Sequence, residues 1–243
     1  MRVEQAIFTS VQRERLKGYQ LAATSAGITS EQAKELTLWG PAHDSLWDSG
    51  RGSRSINFHP LIGGTYCLSC TSVAGEEYSG RGGGRVYTQM FVLSRELLAR
   101  FANDPFLILR AMEAAGRLIV FEEVPETLFR LPLVGRCLAA HSECVTDILS
   151  EIGATAFDEI LSAISSLSSV AVAAKAPLEK LFQAVLQSLS PEERLTLSFT
   201  TGLKHSPRRP FKLFAVPCED STIRQSQRMS GARIIDLTTA HAA

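Results

Sequence analysis

The period of the apolar positions changes several times along the chain, and each change marks an element. Residues 3–11, Val-Glu-Gln-Ala-Ile-Phe-Thr-Ser-Val, and residues 19–23 read as two strands of a hairpin, with the charged stretch 12–18 as the turn region. Gly27 closes that unit. Thr29 or Ser30 then caps a helix running to Trp39, with acidic side chains in its first half and Leu36, Leu38 and Trp39 facing inward. Gly40-Pro41 stops the helix, and a loop rich in Ser, Asp and Gly leads to Arg54. Trp47 in this loop is expected to fold back onto the core. Residues 56–58 form a short strand stopped by Pro60, and residues 65–73 form a longer one. Residues 86–93 are rich in β-branched and aromatic side chains and read as a buried strand. The last two strands predict an antiparallel hairpin with a long tip. Ser94 caps a helical turn, Asp104-Pro105 opens a helix to Ala115 that Gly116 ends, and residues 117–122 read as a further strand.

The second half has a more helical pattern. Residues 136–152 make an amphipathic helix stopped by Gly153, and residues 157–167 read as another. Residues 170–174 are either a short buried strand or the end of that helix, since periodicity alone does not separate the two. Pro177 opens a helix through Leu189, Ser190-Pro191 starts one more turn, and residues 195–201 alternate as a half-buried strand. Residues 211–216 are its expected partner across the loop 204–210, the polar stretch 219–230 is expected to be mobile, and residues 232–237 add an edge strand. The class is therefore α+β: a mixed, mainly antiparallel sheet with flanking helices, followed by a smaller, mainly helical unit with a β-hairpin. The units divide as residues 1–125, 136–218 and a partly mobile tail 219–243, with the boundary at the Pro- and Gly-bearing stretch 125–135.

Charge narrows the classes of partner. The 25 basic and 25 acidic side chains cancel, which disfavours strong attraction to nucleic acid or to an anionic membrane. No charged-then-apolar leader opens the sequence, and the most apolar stretch, 160–178, is interrupted by serines, Lys175 and Pro177, so the expectation is a cytoplasmic protein without a membrane span. An odd number of cysteines, five, fits reduced core thiols better than a disulfide framework.

The candidate functional stretch is Tyr78-Ser-Gly-Arg-Gly-Gly-Gly-Arg85 at the hairpin tip. Its glycines permit positive φ and close approach, and Arg81 and Arg85 add two fixed charges, a combination suited to an anion or an acidic partner. Partner- or anion-binding candidates are Tyr78, Gly80, Arg81, Gly82, Gly84, Arg85, Tyr87 and Gln89, with His59 as the acid-base candidate that would approach the arginine loop. A P-loop would need lysine and hydroxyl at a helix mouth, and the G-x-G-x-x-G pattern fails because Arg85 takes the sixth position before a strand. Cys67 and Cys70, three residues apart on a strand, point to opposite faces. Cys137, His141 and Cys144 share a helical face but have no evident fourth ligand, so neither a metal nor a cofactor is expected. There is no G-x-S-x-G elbow, and no catalytic residue is assigned. The basic loop from Lys204 to Arg209 reads as a solvated hairpin tip.

The first unit resembles the type-two N-terminal domain of the bacterial GTPase-associated protein one group. The likeness rests on residues 3–10, on the run 18–28, on Phe58-His-Pro-Leu61, and on the Gly-Arg loop leading into Val86-Tyr87-Thr88-Gln89. The second unit is similar to the middle domain of the same group through Leu189-Ser-Pro-Glu-Glu-Arg-Leu-Thr-Leu-Ser-Phe-Thr-Thr-Gly202 and Arg209-Pro-Phe-Lys-Leu213. One departure is Gln89, where the group is expected to carry histidine, and the chain looks like a short version of the group. The resemblance implies a non-catalytic adaptor or regulator in a bacterial GTPase-linked signalling or conflict system. Its implied partners are a small Ras-like GTPase or other proteins of that system. The alternative is a phosphate- or nucleotide-binding sensor or hydrolase built on the Gly-Arg loop.

Overall fold

The computed structural model describes residues 2–13, 16–48, 53–78, 84–133, 142–166, 169–174, 178–217 and 231–238. The first part begins with β1 (Arg2–Arg13), β2 (Leu16–Ser25), α1 (Ser30–Trp39), β3 (Arg54–Pro60), β4 (Thr65–Glu76) and β5 (Gly84–Ser94). It continues through α2 (Arg95–Arg100), α3 (Pro105–Ala114) and two short strands, β6 (Thr127–Leu128) and β7 (Leu131–Pro132). The second part contains α4 (Ser142–Ile152), α5 (Ala154–Ser165), β8 (Val170–Ala173), α6 (Leu178–Ser188) and α7 (Pro191–Thr196). It ends with β9 (Phe199–Thr200), β10 (Leu213–Val216) and β11 (Arg233–Asp236). The class is α+β.

Helix starts follow the predicted chemistry. Thr29 and Gln32 close a capping box on α1, with Thr29 Oγ1 accepting from Gln32 N at 3.2 Å and Gln32 Oε1 accepting from Thr29 N at 3.1 Å. Asp104 accepts from Phe106 N at 2.8 Å ahead of Pro105 in α3, and Ser190 and Glu193 form a second box on α7. That box recruits Leu195 and Thr196 into α7, which shortens the predicted strand 195–201 to β9.

All the described strands join one sheet in the order β11-β8-β10-β9-β3-β4-β5-β1-β2-β6, with β7 beside the start of β1. From β3 to β2 the sheet is antiparallel, through the pairs β3/β4, β4/β5, β5/β1 and β1/β2. From β9 to β11 it is parallel. Of residues 170–174, ambiguous by periodicity, Val170–Ala173 are a strand. β10 does neighbour β9, yet the two run parallel, with Leu213 opposite Phe199. The connection is long enough to carry the chain back to the start of β9, and Leu203 is fixed on the way by a bridge to Leu46. The seam between the two regions is the antiparallel pairing of β3 with β9, Asn57 opposite Thr200 and Phe58 opposite Phe199.

Strand alternation divides the side chains between two faces. Phe58, Leu68, Phe91, Val172 and Leu213 face the helical layer, where α3, α4, α5 and α6 contribute residues such as Phe106, Ile148, Ile160 and Phe182. The other face carries Ala6, Cys67, Met90 and Val92 under α1, and Phe214 and Val216 under the loops that bear Leu46, Leu203 and Phe211. Trp47 folds back as predicted, its indole N–H donating to Ala215 O at 2.9 Å. Phe199 sits where the regions meet, with the rings of Phe106, Phe58 and Phe182 at 5.2, 5.9 and 6.0 Å. Phe199→Ala is expected to cost about 3–5 kcal/mol of stability. Far-ultraviolet dichroism and tryptophan fluorescence are expected to report the loss as one shared unfolding transition in urea.

Candidate functional site

The β4–β5 hairpin is built for a tight end. A bulge lies between Val73 and Glu76, and Gly75 there has φ +69°, the left-handed conformation that glycine adopts without strain. Gly84 faces Val73 so closely that a Cβ would come within 2.0 Å of its Cγ1, so a side chain here would force Val73 to move. Gly80, Arg81, Gly82 and Gly83, the middle of the predicted tip, lie outside the described residues, as do Cys137 and His141. Nothing is described of the Cys144 side chain.

Of the described candidates, Arg85, Tyr87 and Gln89 face inward, while Tyr78 is half exposed. Arg85, Tyr87 and Gln89 occupy alternate positions of β5 and so share one face. Each meets the backbone of the segment 117–122. Gln89 Nε2 donates to Arg117 O at 3.1 Å and its Oε1 accepts from Ile119 N at 3.2 Å. The Tyr87 hydroxyl donates to Ile119 O at 3.4 Å. Arg85 Nη2 donates to Phe121 O at 3.5 Å and to Glu122 O at 3.4 Å, while its Nε donates to Ala74 O at 3.0 Å. The predicted strand 117–122 is therefore a strap, laid over the face of β5 and held by side chains where a neighbouring strand would have supplied backbone groups. Arg85, expected as a displayed charge, is 4 % exposed and is the strap's lowest fastening.

Beside the strap lies a buried polar cluster that the sequence did not single out. Glu77 accepts from Ser10 Oγ at 2.7 Å and from the Tyr19 hydroxyl, which in turn accepts from Val86 N at 3.0 Å. Burial, and next the bond to Glu77, push the Tyr19 phenol well above its usual range, and burial raises Tyr87 to about 12. Tyr78 is half exposed, accepts from Arg85 Nη1 at 2.7 Å and offers its ring to the same guanidinium at 5.1 Å. Two clefts flank it. One of about 350 Å³ is lined by Val11, Arg85, Glu123 and Val124, and one of about 390 Å³ by Ser10, Lys17 and Gly18. The adjacent outer surface of the strap exposes Ile119, Val120, Glu122 and Glu123. Adjacent carboxylates at positions 76 and 77, just before Tyr78, were the available hint, but no local pattern announces that Tyr19 and Ser10 converge on them.

His59 is not part of this arrangement. It lies on the opposite face of the sheet, opposite Cys67, and Cys67 pairs with Val92, which places it seven positions along β5 from Arg85, about 20 Å away. Its ring stacks on Trp39 with centroids 3.7 Å apart, and Nδ1 lies 3.2 Å from Pro60 O. Burial lowers its pKa to about 3, so it stays neutral at ordinary pH. A third cleft, about 360 Å³, lies between Trp47, Leu178 and Val216 beside Arg54, which is held by Glu113 and Glu179. Among the described residues, no group of three or more His, Cys, Asp or Glu side chains is placed to hold a metal, and no helix is long and apolar enough to cross a membrane.

Two outcomes are expected. Gln89→Leu strands Arg117 O and Ile119 N and is expected to lower stability by roughly 1–3 kcal/mol, with faster amide exchange in residues 117–122. The unfolded state takes up a proton at His59 below pH about 6.5, and the folded state refuses it until about 3. Stability is thus lost as pH falls through this window, at about 1.4 kcal/mol per pH unit. His59→Gln is expected to flatten the pH dependence of urea unfolding by one proton.

No curated protein matches the chain, and no solved structure matches it. Residues 2–129, which are more than half of the sequence, match the family described as "GTPase-associated protein 1, N-terminal domain type 2". That match takes in β1 to β5, the strap and β6, and the chain belongs to this family.

Proposed function

We propose that this protein is a non-catalytic adaptor or regulator in a bacterial GTPase-linked signalling or conflict system, and that it works by binding a small Ras-like GTPase. The family description supports the link to a GTPase. The observation that carries the rest is the use to which the candidate residues are put. Arg85, Tyr87 and Gln89 spend their polar groups on the strap, and His59 is neutral and on the other face. This opposes the alternative in which Arg85 holds a phosphate and His59 acts as base, since Arg85 and His59 are not placed to act on the same atom.

The strap instead displays a surface. Ile119 and Val120 are about half exposed, Tyr78 stands between two clefts, and Glu122 and Glu123 lie on the same outer side. An aliphatic and aromatic patch edged by acids fits a partner surface with apolar groups and basic side chains around them. The docking charge on the described surface is thus acidic, where the sequence pointed to a cationic loop. The GTPase is taken to approach the strap from outside, with the sheet behind it as a fixed platform.

The test uses exposed positions that carry no core packing. Val120→Asp and Glu123→Lys are expected to leave dichroism and melting unchanged and to weaken binding of the cognate GTPase at least tenfold, about 1.4 kcal/mol, in calorimetric titrations with each nucleotide state. Unchanged affinity in both variants removes the strap from the interface. No binding by the wild type in either state removes the proposed partner.

A further inference from the structure

Three arginines are buried among the described residues, and two of them show what a buried guanidinium requires. Arg85 donates to Ala74 O, the Tyr78 hydroxyl, Phe121 O and Glu122 O. Arg194 donates Nε to Leu189 O at 3.0 Å, Nη1 to Ala102 O at 2.8 Å and Nη2 to Gln187 O at 2.8 Å; burial lowers its pKa, and the charge of Asp104 works against that. Arg209 is buried to a similar degree, 8 % exposed, yet among the described residues has a single side-chain hydrogen bond, from Nη1 to Gly40 O at 3.4 Å. Its Nε is buried without a partner. Burial alone acts on its pKa, downward, with no carboxylate to oppose it. A charge taken out of water without a counter-charge or a full set of acceptors is costly, and the same chain avoids that at both other sites.

The surroundings of Arg209 are basic. A tight turn closed by Arg209 N donating to Ser206 O at 2.9 Å tucks the residue against the end of α1, and Phe211 just after it packs on Trp39 at 5.1 Å. His205, in the same turn, has its pKa lowered by burial and then by the Arg209 charge, so its ring lies within electrostatic reach. On the α1 side, three residues past Gly40, His43 Nδ1 is also buried without a partner. The acid of this region, Asp44, is matched by Lys204 at 2.8 Å, and Arg208 is exposed. The loop that reads in the sequence as a solvated tip therefore buries a cation with an unmatched nitrogen, and the loop after α1 buries a second such nitrogen at His43.

We propose that the turn 206–209 and the loop 40–43 form a binding site for a phosphate-sized oxyanion, with Arg209 as its charged anchor and His43 and His205 beside it. Nε is the guanidinium nitrogen left without a partner, and the Nε/Nη2 edge of a guanidinium carries two parallel N–H groups that match a pair of oxygens. Arg54 shows the same edge in use, with Nε and Nη2 donating to the two oxygens of Glu179 at 2.8 and 2.9 Å. A guanidinium fork of this kind selects phosphate or a phosphomonoester over a spherical halide. The site is independent of the strap surface and of the GTPase reading.

Thermal unfolding of the wild-type chain in sodium phosphate, against sodium chloride at equal ionic strength, tests the proposal. The midpoint is expected to rise by several degrees and to saturate with phosphate, as binding to the folded state requires. Arg209→Met, of similar length and without charge, is expected to abolish the rise while staying folded. Arg209→Lys keeps the charge but not the fork and is expected to need about tenfold more phosphate, and it serves if the methionine variant does not fold. A phosphomonoester arm identifies the source: an equal effect marks the terminal group of a larger molecule, and an effect of inorganic phosphate alone marks the free ion. No rise beyond chloride in the wild type overturns the proposal, as does a rise that persists undiminished in Arg209→Met or Arg209→Lys.

Discussion

The architecture depends on two residue pairs where β3 meets β9. Here an antiparallel sheet becomes a parallel one, and the seam is fastened on both faces. On one side Asn57 Oδ1 accepts from Ser55 Oγ at 2.7 Å and Thr200 Oγ1 at 2.5 Å, while its Nδ2 donates to Ser69 at 3.1 Å and Thr71 at 3.2 Å. All the donors and acceptors of this amide are buried, so each unmade bond would carry a full desolvation penalty. On the other side Phe58 and Phe199 sink into the aromatic cluster beneath α3 and α6. A short pairing becomes specific because a polar ladder fixes its register and a shared apolar layer fixes its tilt.

The strap depends on the same logic in a looser form. Backbone groups that find no neighbouring strand have to be satisfied by something, and alternate side chains of β5 are within reach. This explains why residues that look like a binding motif in one dimension are fastenings in three. The proposed docking surface is accordingly what Arg85 and its neighbours on β5 hold up, a sheath of exposed aliphatic and acidic groups next to Tyr78.

Much of the frame was legible because its signals are local. Strands β1, β2, β4 and β5 are rich in apolar, β-branched and aromatic residues bounded by turn-forming stretches, and the caps at Thr29, Ser94, Asp104 and Ser190 sit where their side-chain chemistry places them. The strap was misread as a strand because residues 117–122 have strand-like composition, and what they pair with lies about thirty residues away. The parallel run of β10 was hidden because the pinning of Leu203 by Leu46 is a contact between distant loops. The burial of Arg85 and Arg209 was equally invisible, since a charged residue in a turn-forming stretch carries no local mark of being folded inward. Exposure and orientation are tertiary properties, and the site readings that relied on them changed most.

The manner in which residues 117–122 are attached has a mechanical corollary. None of the bonds from Gln89, Tyr87 and Arg85 to this segment is a rung between strands. Peeling the segment back would unbutton three side chains in turn and leave the hairpin ladder beneath it whole, so cover and chassis can part company without unfolding.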